Sequence, residues 1–264
     1  MNRAAFYASV RQRTSGVFGT SLSQPQVQGT EAILDGAGRR GTPLKHLAYI
    51  LATAYHESAH TMQAVRETLA KTDAGAIAAL DKAFAAGELG SVKTPYWRND
   101  VDGKSWFGRG LVQITHKPNY AKLGLLIGID LVKDPAKALE LSTAVQILFA
   151  GMELGSFTGK ALDDYISASR ADYEGARRIV NGTDKAALIA GYARAFEQAL
   201  TDAGYKAVKP VKSGAEPTPA PPIPAAQASP ADIAPPATIE QAPISSANWL
   251  AALLSKLANL LKGA

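Results

Sequence analysis

Cysteine is absent from this chain of 264 residues. That excludes a disulfide scaffold, cysteine-ligated zinc or iron–sulfur sites, and a thiol nucleophile. Any metal site or nucleophile must use His, Asp, Glu, Ser, Thr, Lys or Tyr. Aromatic residues are few, at 7%. No apolar run approaches the roughly 18 residues of a bilayer-spanning helix. The opening text MNRAAFYASVRQRTSG has no apolar stretch of signal-peptide length and meets Arg11 and Arg13 early. No Sec signal is expected, and the product should gather in the cytoplasm of the cell that makes it.

What is present divides the chain. A hydrophobic fraction of 47% is enough for a proper core. The net charge of +5 favours polyanionic partners: nucleic acid, anionic lipid or bacterial wall polymer. Ten of the fifteen prolines fall between Pro210 and Pro243. Residues 1–206, with 24 basic and 20 acidic side chains, read as one globular domain. From 207 to 247 the text turns to Pro, Ala and Ser with almost no large apolar residue. Such a stretch buries too little surface to offset its ordering entropy, so a disordered linker is expected.

The last segment, 248–264, reads as an amphipathic helix. At 100° per residue, Trp249, Leu250, Leu253, Leu254, Leu257, Leu260 and Leu261 share one arc, with Asn248, Ser255, Lys256, Asn259 and Lys262 opposite. A helix of about 24 Å is too short for a hydrocarbon core of about 30 Å. It fits an interfacial helix at a membrane, the alternative being self-association or docking on protein.

Within 1–206 the periodicity is mainly helical. Thr42 as N-cap and Pro43 precede the stripe Leu44, Leu47, Ala48, Leu51, Ala54 and Tyr55, which runs into His56 and Glu57. Asp134-Pro135 opens another helix through Val145, Leu148 and Met152, with Gly155 placed to end it. Asn181-Gly182 stops a third, and Thr183 caps a fourth that carries Ile189, Tyr192, Ala193, Phe196 and Leu200. Strand-like text flanks the turn dipeptide Asp102-Gly103. The expected class is mainly α (α+β) with one small β-hairpin.

Two chemistries compete for one motif. His56-Glu57-Ser58-Ala59-His60 fits H-E-x-x-H, in which two His on one helical face hold Zn²⁺ and the Glu acts on a metal-bound water. The longer extension fails, with Gln63 and Arg66 where Gly and a third His belong. A third ligand would have to come from farther away, such as Glu88 or His116, and nothing in the sequence selects one. The other chemistry uses carboxylates. Glu57 ends an apolar helix, where partial burial would keep it protonated as a general acid, and Glu67 lies ten residues on. Along one straight helix the two would stand about 15 Å apart. A turn between them is needed to reach the roughly 6.5–9.5 Å of an inverting glycosidase.

Four blocks occur in order: LAYILATAYHESAHTMQAVRET, FGRGLVQITHKPNYAKLG, GMELGSFTGKALDDYI and ARRIVNGTDKAALIAGYARAFEQAL. Together, over about Ser21 to Leu200, they resemble the phage and prophage endolysins of the family 19 glycoside hydrolases, relatives of plant class I chitinases. The resemblance implies a lysozyme-like fold and metal-free, cofactor-free, inverting cleavage of β-1,4 glycosidic bonds in peptidoglycan glycan strands. The implied partner is the cell wall rather than nucleic acid, and the implied state is a monomer, held in the host cytoplasm until release to the wall.

Matched position by position, Glu57 takes the place of the family's general acid and Glu67 that of its general base. The segment between them differs in length from the plant enzymes. Thr115 stands where a hydroxyl helps hold the attacking water. Gln113, Asn119, Tyr120 and Asn181 match cleft residues that contact N-acetyl sugars, and His56 is expected to order the site beside Glu57. Arg177 and Arg178 offer one cation to a cleft carboxylate and one to a solvated face. A zinc-dependent peptidoglycan endopeptidase and a chitinase remain the alternatives.

Overall fold

An unbroken buried run, from His46 to Tyr55, lies on a helix packed among other helices. In this computed structural model residues 1–90 and 92–207 are described. The expected terminal helix, and the expected linker beyond its first residue, lie outside the described residues.

The chain begins with α1 (Arg3–Val10), started by the Asn2 side chain accepting from the Ala5 N–H at 3.1 Å. Helix α2 (Gln24–Arg40) opens with a reciprocal capping box between Ser23 and Gln26 and ends at Gly41, whose φ of +66° suits glycine. Helix α3 (Leu44–Glu57) is the central one, apolar on nearly every side, as a helix enclosed by others must be. It packs on α7 (Ala186–Asp202), on α6 (Leu141–Glu153) and on α2, while α1 packs on α7. Phe6 of α1 stacks on Phe196 of α7 at 6.4 Å, and Asn2 N–H donates to Ala203 O at 2.8 Å. The first and last helices of the described residues thereby close on each other.

Helix α4 (Asp73–Ala85), capped by Thr72, packs apart from the main core. With the loop that follows it forms a second apolar cluster of Ala76, Leu80, Ala83, Leu89, Trp97 and Phe107. Helix α5 (Lys117–Ile127) rests on α6. Two-residue strands β1 (Val65–Arg66) and β2 (Arg109–Gly110) pair antiparallel, Val65 opposite Gly110. The mainly α class with one small antiparallel pair is therefore observed, and among the described residues no helix is long and apolar enough to cross a membrane.

Several local expectations are corrected. Pro43, not Thr42, occupies the N-cap of α3, and the Thr42 hydroxyl is buried without a partner. The helix expected from Asp134 is two elements: a 3-10 turn, Pro135–Leu139, then α6. Likewise α7 starts after Lys185, a left-handed residue at φ +57°, rather than at a Thr183 cap. Asp102-Gly103 does turn, with Gly103 at φ +72°. No hairpin flanks it, because the ladder partner of β2 is the distant segment after Glu57.

Candidate active site

Glu57 is the last residue of α3 and only 6% exposed. Helix α3 stops because Ala59 and His60 adopt left-handed φ values of +51° and +68°. The chain then turns under α2, where Gln26 donates to His60 O at 2.9 Å and Gln63 to Pro25 O at 2.6 Å. This turn brings Val65 and Arg66 back as β1 and delivers Glu67. The zinc geometry is therefore not formed: His60 is not one helical turn beyond His56, and its ring stacks on Tyr55 at 4.2 Å. Among the described residues no three His, Asp or Glu side chains are grouped as a metal site.

Each carboxylate has its own enclosure. Glu57 accepts a short, charge-assisted hydrogen bond from Arg177, which is 2% exposed. Arg177 sits on the 3-10 turn Gly175–Ile179 and is aimed by its Nε donating to Asp184 O at 3.0 Å. The neighbouring Arg178 is exposed. His56 is half-buried beside this pair, and burial holds its imidazole below the usual value, so it is neutral at pH 7.

Glu67 is 2% exposed. Its Oε2 accepts from the Gly108 N–H at 2.6 Å and its Oε1 from the Tyr96 hydroxyl at 2.7 Å. Burial dominates over both bonds and over the Arg109 cation, and the carboxyl is pushed up to about 7. Gly108 is required there: a Cβ would lie 2.9 Å from Gln113 Oε1 and 3.3 Å from Glu67 Oε2.

The remaining expected residues divide. Gln113, at φ +52°, donates to Val65 O and Gly110 O, while its Oε1 is buried and unpartnered. Thr115 Oγ1 and Asn181 Nδ2 are likewise buried without partners. A buried polar atom left unpaired costs about 1–3 kcal/mol, so such atoms call for an explanation, and a ligand is one. Gln113 stands with Glu67 across Gly108, and Asn181 stands with Arg177, whose carbonyl accepts its N–H at 3.0 Å. Among the described residues no hydrogen bond or ion pair joins the Glu57 group to the Glu67 group.

Asn119 is half-buried and spends its amide on Thr115 O at 2.8 Å, holding the turn that carries the threonine. Tyr120 corrects a sequence expectation. It is fully buried, its hydroxyl donating to Phe107 O at 2.7 Å and accepting from Arg109 at 3.0 Å, so it supports the site from the core rather than facing sugar.

Two residues stand at the site without having been singled out. Arg109, 1% exposed, lies over the Phe107 ring at 3.7 Å and pairs with Asp73 at 2.7 Å. Burial pushes the Asp73 carboxyl up, but hydrogen bonds from Arg66 and Arg109 outweigh it and hold the group below its usual value. Tyr96 is the other. Its one local signal is the Tyr96-Trp97 pair in a chain otherwise poor in aromatics.

No protein-family model matches the chain. No curated protein matches it either.

Proposed function

We propose that the chain is an endolysin-type peptidoglycan hydrolase of the family 19 glycoside hydrolase kind, with a lysozyme-like catalytic domain over 1–206. The observation that carries the reading is the coincidence of two buried carboxylates, Glu57 and Glu67, with three buried, unpartnered polar atoms on Gln113, Thr115 and Asn181. Enclosed acids in separate environments are what acid–base cleavage of a glycosidic bond requires. The unpaired amide and hydroxyl atoms suit the N-acetyl and hydroxyl groups of a sugar.

Strain points the same way. Seven of the nine described non-glycine residues with positive φ are Ala59, His60, Met62, Thr68, Leu69, Gln113 and His116, all beside the candidate acids or Thr115. Left-handed backbone at such residues costs of order 1–3 kcal/mol each and gathers at functional sites.

In the proposed reaction Glu57 gives its proton to the leaving oxygen as the C–O bond breaks. Water attacks the opposite face of the sugar and yields its proton to Glu67, so the anomeric configuration inverts. A general base near 7 is well matched to neutral pH. Thr115 and Gln113 would hold water and sugar. On the sequence pattern alone, 248–264 is assigned to contact with a membrane surface.

A second reading reverses the two acids. Burial favours the protonated form of Glu67, which suits it as donor, and Glu57, paired with Arg177, would then take the proton from water. One digest tests both readings. Purified peptidoglycan treated with the chain should yield soluble muropeptides with new reducing ends by mass spectrometry. Glu57→Gln, which keeps an acceptor for Arg177, should release them at least about 100-fold more slowly. New amino termini instead would establish the peptidase, and liposome leakage without muropeptides a non-enzymatic protein. On an aryl glycoside whose leaving group needs no proton, the variant lacking the acid keeps its turnover and the one lacking the base does not.

A further inference from the structure

Glu67 is gripped at both carboxylate oxygens, by Gly108 and by Tyr96. The Gly108 amide, which takes Oε2, belongs to the strand β2 side of the site. The Tyr96 hydroxyl, which takes Oε1 at 2.7 Å, comes from the loop packed with α4 in the second apolar cluster. That loop is anchored well. Trp97 is fully buried, its indole N–H donates to Asp81 at 2.9 Å, and its carbonyl accepts from the Ser105 hydroxyl. The Tyr96 ring meets Trp97 edge-on at 5.1 Å and tilts over His116 at 4.5 Å. The ring is thus held on two sides, and its hydroxyl meets the carboxylate at one end.

We infer that Tyr96 is a positioning residue for Glu67, and that the separately packed α4 lobe serves to hold its phenol on that carboxylate. With both oxygens engaged, the carboxylate cannot rotate about its last side-chain bond, and it presents a fixed direction to a water proton. The same phenol favours the ionised form, opposing burial. This inference rests on the reading of Glu67 as the general base.

The charged and titratable groups around Glu67 are few enough for a clean test. Arg109 acts on it from β2 and is itself paired with Asp73. His116, on the far side of the Tyr96 ring, is held below its usual value by burial and is neutral at pH 7. Burial pushes the Tyr120 phenol upward, so it too is neutral.

The experiment follows the Glu67 side-chain carboxyl by ¹³C NMR across pH in the full chain. Tyr96→Phe keeps both ring contacts and removes only the hydroxyl. Its Glu67 midpoint should rise by about one pH unit, the size expected for losing a hydrogen bond to a charged group. Fluorine ortho to the Tyr96 hydroxyl strengthens the donor and should move the midpoint down. The acid limb of kcat should follow, about tenfold slower on that limb for Tyr96→Phe, with KM nearly unchanged. A midpoint unmoved by both changes overturns the inference even in an active enzyme. A midpoint that moves as stated in a chain that cleaves no glycan upholds the clamp and overturns the glycosidase reading.

Discussion

At the scale of the residue, the two glutamates show how one chemical group is given two characters by its surroundings. Glu57 meets a guanidinium, that of Arg177. Glu67 meets neutral donors in a dry enclosure, and desolvation wins. That enclosure carries a cost that depends on pH. The folded value of about 7 lies above the ordinary 4.5, so between those values the folded state binds more protons than the unfolded one, and stability falls as pH rises. The destabilisation is absent below pH 4.5 and complete above about 7, reaching about 3 kcal/mol. Glu67→Gln should therefore be more stable than the wild type to urea at pH 8, by up to that amount, with the gain vanishing at pH 4. A gain independent of pH would refute the desolvation account.

At the scale of the element, α2 matters to the site through one glycine. A Cβ on Gly29 would lie 1.7 Å from Met62 O, inside the turn that separates the two glutamates. Alanine is the better helix former by about 1 kcal/mol, but a backbone oxygen cannot step aside like a side-chain tip. Gly29→Ala should cost about 1–3 kcal/mol and impair cleavage. Gly38, exposed on the same helix with nothing within 4 Å of a Cβ, is the control. Gly38→Ala should stabilise by about 0.5–1 kcal/mol with activity unchanged. Urea midpoints of the two variants compare them directly.

The same scale shows what is legible in sequence. Helix α3 is, because its apolar stripe and burial agree, and so is α7 apart from its start, where Lys185 takes a left-handed turn that no propensity marks. The β1–β2 ladder is not legible, since it joins Val65 to Gly110 and has no shared turn to announce it. Glu57 and Glu67 are legible as carboxylate candidates, and Gln113, Thr115 and Asn181 enter only through the family resemblance. Tyr96, Arg109 and the buried role of Tyr120 are not legible, because each depends on which remote segment arrives beside it.

At the scale of the whole molecule, the described residues form one large core and one small one. The α4 cluster is built from six buried residues, and its charged ties to the rest include Asp73, which pairs with Arg66 and Arg109, and Asp100 and Asp102, which pair with Lys117. A unit with so few apolar contacts opens before the whole. In native-state hydrogen exchange the amides of α4 should exchange through an opening at least about 2 kcal/mol below that of α3. Equal opening energies would make the two cores one cooperative unit.

The clasp between α1 and α7 also bears on the protein's synthesis. Asn2 waits for Ala203, and Glu57 waits for Arg177. At about 5–20 residues per second, Ala203 follows Asn2 by about 10 to 40 s. During that interval Phe6 and Val10 lack the helix that covers them, and the nascent chain depends on protection from aggregation. A product released before Arg177 has both glutamates but lacks the cation that pairs with Glu57, so under the proposed function it should be inactive.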